Sequence, residues 1–133
     1  IEICVRLKIS VVQKDEKESG LRRILNFGHT YGHAIEKITK YKKYTHGEAV
    51  VEGIKFAFNL ALKQNLIDKN YKFLAEDIIK KYNFREIPKF NMKKMVELMQ
   101  MDKKATANSI VFVLPTDYSQ VEVFEVSPES LLK

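Results

Sequence analysis

Apolar side chains at Ile1, Ile3, Val5, Leu7, Ile9 and Val11 alternate with Glu2, Arg6, Lys8 and Ser10 at the start of the chain. A period of two predicts a strand, because successive strand side chains point to opposite faces. A helix is the second reading, with Cys4, Val5, Ile9 and Val12 gathered on one side. The polar run QKDEKESG then predicts a turn, with Ser19 as N-cap of the next helix.

From Leu21 the period becomes helical. One helix is predicted over Leu21–Tyr41 and a second from His46 to Ile67. In the second, Ala49, Gly53, Ala57 and Ala61 recur every four residues, which permits close helix packing. A third amphipathic helix is expected over Asn70–Asn83. Pro88 marks a break, and a fourth helix spans Asn91–Lys104 with Met92, Met95, Val96 and Met99 on its apolar side as core filler. Ser109–Pro115 and Gln120–Val126 are β-rich runs joined by a turn around Asp117 and Ser119, the pattern of a hairpin. Residues 128–133 can close the chain with a helical turn. The fold class predicted is mainly α, a single helical domain over residues 1–133 with a small C-terminal β-hairpin.

The formal net charge of +6 over 133 residues suits an anionic partner, with small phosphorylated molecules ranking above nucleic acid because the basic residues are spread out. Cys4 is the only cysteine. It permits no disulfide within the chain, fits a reducing cytoplasm, and is expected to be a buried, inert thiol. No run reaches the roughly 18 apolar residues of a membrane span. The chain begins at Ile1 rather than Met, inside what reads as a secondary-structure element, so a longer parent protein is expected.

Two of the three histidines stand in LRRILNFGHTYGHAIEKI. On a continuous helix at roughly 100° per residue, Glu18, Arg22, Asn26, His29 and His33 share one arc about 80° wide. Leu21, Ile24, Leu25, Phe27, Tyr31 and Ile35 take the remaining side. A largely buried helix with such a polar stripe faces either a cleft or a hydrogen-bond network between helices. Spacing alone points to His29 and His33, at i and i+4, as a metal pair. His46, at the start of the next helix, can join them, and Glu48 and Glu52 are in-chain candidates for a further ligand.

KDEKESGLRRILNFGHTYGHAIE followed by HGEAVVEGI, then MQMDKK and VFVLP, resembles the 3-dehydroquinate synthase family, in order and with suitable spacing from Leu7 to Pro115. The resemblance covers the C-terminal, mostly helical half of that enzyme. It implies conversion of 3-deoxy-arabino-heptulosonate 7-phosphate to 3-dehydroquinate and phosphate, in the shikimate route to aromatic amino acids. It also implies NAD, which reversibly oxidises a secondary alcohol and so acidifies the proton lost as phosphate leaves. A divalent metal, zinc or cobalt, polarises the substrate oxygens.

By position, the resemblance makes His29 and His46 the metal ligands. His33 and Asn26 become phosphate contacts, and Arg22 and Lys8 hold the substrate carboxylate. Glu18 is an acidic residue of the site, and Lys103 or Lys104 reaches the phosphate. It also makes the opening segment, Glu2–Val12, a helix. The family's third metal ligand is a glutamate that would precede Ile1, and the NAD-binding domain is likewise absent from this sequence. The chain alone is therefore expected to be inactive and weakly loaded with metal, whereas the whole protein is expected to be a homodimer.

Other sugar-phosphate cyclases are a rival reading. Iron-dependent or glycerol-type alcohol dehydrogenases are another, but they have no reason to place Arg22, Asn26 and His33 for a carboxylate and a phosphate. A non-catalytic helical module that binds a protein or an anion through the polar stripe is the third.

Overall fold

A computed structural model of the chain describes residues 1–15, 20–101 and 109–132. Helix α1 spans Glu2–Lys14, as the family resemblance requires and the alternation does not. Period two on a helix scatters apolar side chains around the circumference, so no single face can be covered. Accordingly none of the α1 residues is buried, and Cys4, expected to be buried, is exposed. An Arg6–Glu2 ion pair at 2.7 Å staples successive turns.

The helix predicted over Leu21–Tyr41 is two elements. Leu21–Asn26 is a 3-10 segment, and α2 begins at His29 and ends at Ile38. Between them Gly28 has φ +77°, a left-handed conformation that an α-helix cannot contain and that glycine adopts without strain. The single-helix arc through Glu18, Arg22, Asn26, His29 and His33 therefore does not exist. Arg22 and Asn26 lie on the 3-10 segment, the two histidines lie on α2, and Glu18 and Ser19 lie outside the described residues. Asp15 anchors the corner: its carboxylate accepts the backbone N–H groups of Gly20 at 2.8 Å and Arg22 at 3.0 Å.

Helix α3 spans His46–Lys63. It stops short of the predicted Ile67, since Asn65 turns left-handed at φ 59° and Asp68 caps α4, Lys69–Lys80. Helix α5 covers Met92–Gln100, with Met95, Val96 and Met99 buried. The hairpin is as predicted: β1, Ile110–Asp117, pairs antiparallel with β2, Gln120–Val126, and Ser119 sits in the turn at φ 63°. Helix α6, Pro128–Leu132, buries Leu131.

The core forms where α2, α3, α5 and β1 meet, around Ala34, Ile35, Ala49, Ala61, Met95, Met99 and Leu114. The spacing of small residues on α3 has the expected effect. A Cβ at Gly32 would lie 3.1 Å from the Ala49 carbonyl, so α2 and α3 pack backbone to backbone. Thr30 Oγ1 donates to the Val111 carbonyl at 2.8 Å and ties the start of α2 to the hairpin. No helix among the described residues is long and apolar enough to cross a membrane.

Candidate functional site

The close α2–α3 packing brings three imidazoles together. Ring centroids of His29 and His46 are 5.2 Å apart, those of His29 and His33 5.5 Å, and those of His33 and His46 6.1 Å. His29 opens α2, His33 lies one turn later on the same face, and His46 opens α3. Thr45 caps α3 through a capping box with Glu48, which sets where that helix starts and hence where His46 stands.

Each of two histidines has one nitrogen assigned by its partner. His29 Nδ1 lies 3.1 Å from the Phe27 carbonyl, which can only accept, so Nδ1 carries the proton and Nε2 keeps a lone pair. His46 Nδ1 lies 3.0 Å from Glu36 Oε1 in the same way. Burial pushes the His29 imidazole below its ordinary value, opposed by the Phe27 hydrogen bond and reinforced by the neighbouring His33 and His46. A neutral imidazole with a free Nε2 is the form that binds zinc or cobalt, so the donor chemistry here suits a divalent ion of that class.

Beside the histidines is a cavity lined by Arg23, Asn26, His29, Thr30 and His33 from the 3-10 segment and α2, and by Met99, Ile110, Val111, Val113 and Val123 from α5 and the hairpin. The predicted residues Asn26, His29 and His33 are thus brought together, with His46 against the two histidines. Arg23 lines the cavity where Arg22 does not. Lys8 lies exposed on α1 and is not among the lining residues. Lys103 and Lys104 lie outside the described residues.

Neither glutamate singled out as a further ligand joins the histidines. Glu48 is spent on Thr45, whose backbone N–H it accepts at 2.8 Å. Glu52 pairs with Lys55 at 3.0 Å. The carboxylate that does join them is Glu36: one donor atom each from His33, Glu36 and His46 all lie within 4.8 Å of one another. The sequence signal was His33-x-x-Glu36, an i, i+3 pair on the histidine face of α2.

Residues 1–105 match the family model described as 3-dehydroquinate synthase C-terminal. The chain belongs to this family. Curated relatives called 3-dehydroquinate synthase agree with the match. The protein from Alkaliphilus oremlandii is 41% identical over 98% of this chain and 36% of its own length. That from Campylobacter hominis is 41% identical over 99% of this chain and 39% of its own length. That from Endomicrobium trichonymphae is 46% identical over 83% of this chain and 31% of its own length. The chain therefore spans well under half the length of these members of the family. The crystal structure of 2-deoxy-scyllo-inosose synthase complexed with carbaglucose-6-phosphate, NAD+ and Co2+ superposes with a TM-score of 0.79 at 24% identity, over 98% of this chain and 38% of that one. The 3-dehydroquinate synthase C-terminal fold is thus shared with 2-deoxy-scyllo-inosose synthase.

Proposed function

We propose that the protein carrying this chain is a 3-dehydroquinate synthase, a lyase converting 3-deoxy-arabino-heptulosonate 7-phosphate to 3-dehydroquinate and phosphate. The observation that carries this reading is the meeting of His29, His33 and His46 beside a cavity that also presents Asn26 and Arg23, in a chain of this family. Residues 1–133 then form its metal- and substrate-binding part, with NAD held elsewhere in the protein. The same reading makes it a cytoplasmic homodimer acting on a small anionic sugar phosphate, without nucleic-acid or membrane partners. Its net charge of +6 agrees with an anionic substrate.

His29 and His46 would hold the divalent ion, their Nδ1 atoms being taken by the Phe27 carbonyl and the Glu36 carboxylate. When bound, zinc or cobalt supplies polarisation of the substrate oxygens, and NAD supplies reversible hydride transfer. The chain's own residues bind and orient. Asn26 and His33 take the phosphate, with Arg23 adding positive charge to that wall. Arg22 and Lys8 take the carboxylate, Arg22 as a planar fork. Glu18, Lys103 and Lys104 belong to the same set. Apolar side chains from α5 and the hairpin form the other wall and keep water away from the reacting carbons. The chain by itself is expected to be inactive.

The test is turnover by the full-length protein with NAD and Co2+, following both phosphate release and 3-dehydroquinate formation. The reading requires both products in equal amounts. Turnover of a hexose 6-phosphate in place of the seven-carbon substrate would assign the protein to a different cyclase. Absence of phosphate release from either would end the enzymatic reading.

A further inference from the structure

Glu36 has no role in the family resemblance, yet its carboxylate makes a close polar contact to His46. Its side chain is 12% exposed, and Oε1 lies 3.0 Å from His46 Nδ1. His46 itself stands at the first position of α3 with its side chain 57% exposed, so packing restrains the ring weakly. A carboxylate at this distance accepts the Nδ1 proton, fixes the ring plane and leaves Nε2 as the nitrogen with a lone pair. At His29 the Phe27 carbonyl does the same, also through Nδ1, at 3.1 Å. The more exposed ring is thus held by a charged acceptor and the more buried one by a neutral acceptor. Helix periodicity delivers Glu36 to this place: it follows His33 by three residues and His29 by seven, on one face of α2.

We propose that Glu36 is a positioning residue of the metal centre, its carboxylate holding His46 in the Nδ1–H form with Nε2 presented to the ion. The inference rests on the reading of His29 and His46 as ligands. An outer carboxylate on a ligating imidazole orients the ring and raises its basicity, and losing one weakens metal binding about 10–100-fold. Glu36 also lies close enough to His33 and His46 to bind an ion directly, and the test separates the two roles.

Co2+ is titrated into the metal-free full-length protein, and its visible absorption bands are followed. Metal-free thermal unfolding serves as a control. Glu36→Ala should weaken Co2+ binding about 10–100-fold while the bands at saturation keep their positions, because the ligands are unchanged. Glu36→Gln keeps an oxygen that accepts from Nδ1 and should recover most of the affinity. A Glu36→Ala protein that binds Co2+ as tightly as the unmodified one overturns the proposal, whatever happens to its melting temperature. Bands that shift in both variants, with no recovery by Gln, also overturn it and make Glu36 a ligand. Undiminished Co2+ binding by both His29→Ala and His46→Ala would instead overturn the underlying assignment of those ligands, a failure distinct from either result at Glu36.

Discussion

The backbones of Gly28 and Gly53 are in direct contact. A Cβ built on Gly53 would overlap the Gly28 carbonyl oxygen, and one on Gly28 would lie 2.7 Å from the Val50 carbonyl. The start of α2, with His29 as its first residue, is thereby pressed onto the middle of α3. Gly53→Ala must push the helices apart against backbone atoms that cannot rotate away. The expected loss is about 3 kcal/mol, the upper part of the usual range for overpacking. Denaturant unfolding of the metal-free protein measures it. A loss within about 0.5 kcal/mol, the ordinary surface value, would mean that the two backbones do not meet this closely.

His33 separates substrate binding from metal binding. If it contacts phosphate, His33→Ala keeps Co2+ affinity and lowers kcat/KM about 10–100-fold, the equivalent of one hydrogen bond to a charged group. A Co2+ titration run beside steady-state kinetics reads both quantities. Loss of the ion along with the activity would move His33 into the ligand set.

Asp15 organises the segment that carries Arg22 and Asn26. It is 9% exposed, and its carboxylate accepts the backbone N–H groups of Gly20 and Arg22. Asp15→Ala leaves those donors without this acceptor and is expected to destabilise by about 2 kcal/mol. Asp15→Asn, which retains one acceptor oxygen, should lose less. Equilibrium unfolding of the two variants gives the comparison, and equal losses would contradict it.

The cap of α3 predicts a pH dependence. The Thr45 backbone N–H, and next its hydroxyl, hold the Glu48 carboxyl below its ordinary value of 4.5. Because the folded value is lowered, the folded state binds fewer protons than the unfolded state between the two values. The contribution is therefore complete above 4.5 and fades as pH falls through the lowered value. Melting temperature against pH should show a shallower acid decline in Glu48→Gln than in the unmodified protein. Thr45→Ala, which removes the side-chain acceptor of the Glu48 N–H, is expected to cost about 1 kcal/mol at neutral pH. A Glu48→Gln curve parallel to the parent's would show that the carboxylate is not held in the folded state.

Local pattern was enough for the elements whose neighbours agree with it. The four-residue spacing of Ala49, Gly53, Ala57 and Ala61, the methionine stripe of α5 and the paired β-rich runs all report one-sided burial, which period and residue size encode directly. Asn26, His29 and His33, which line the cavity, and His46, whose ring lies against the two histidines, were singled out in the sequence by the family resemblance. Three matters depended on how separate elements pack. Gly28 breaks the helix read from Leu21 onward, because only the approach of α3 requires a left-handed residue there. Cys4 lies exposed because α1 packs chiefly along the 3-10 segment. Glu36 joins His46 because α2 and α3 cross where their small residues allow backbone contact. Sequence thus determined which donors the chain owns and which helix faces carry them. The tertiary structure decided which acceptor stands behind Nδ1 of His29 and of His46, the Phe27 carbonyl and the Glu36 carboxylate, since hydrogen-bond geometry depends on how two packed helices are placed.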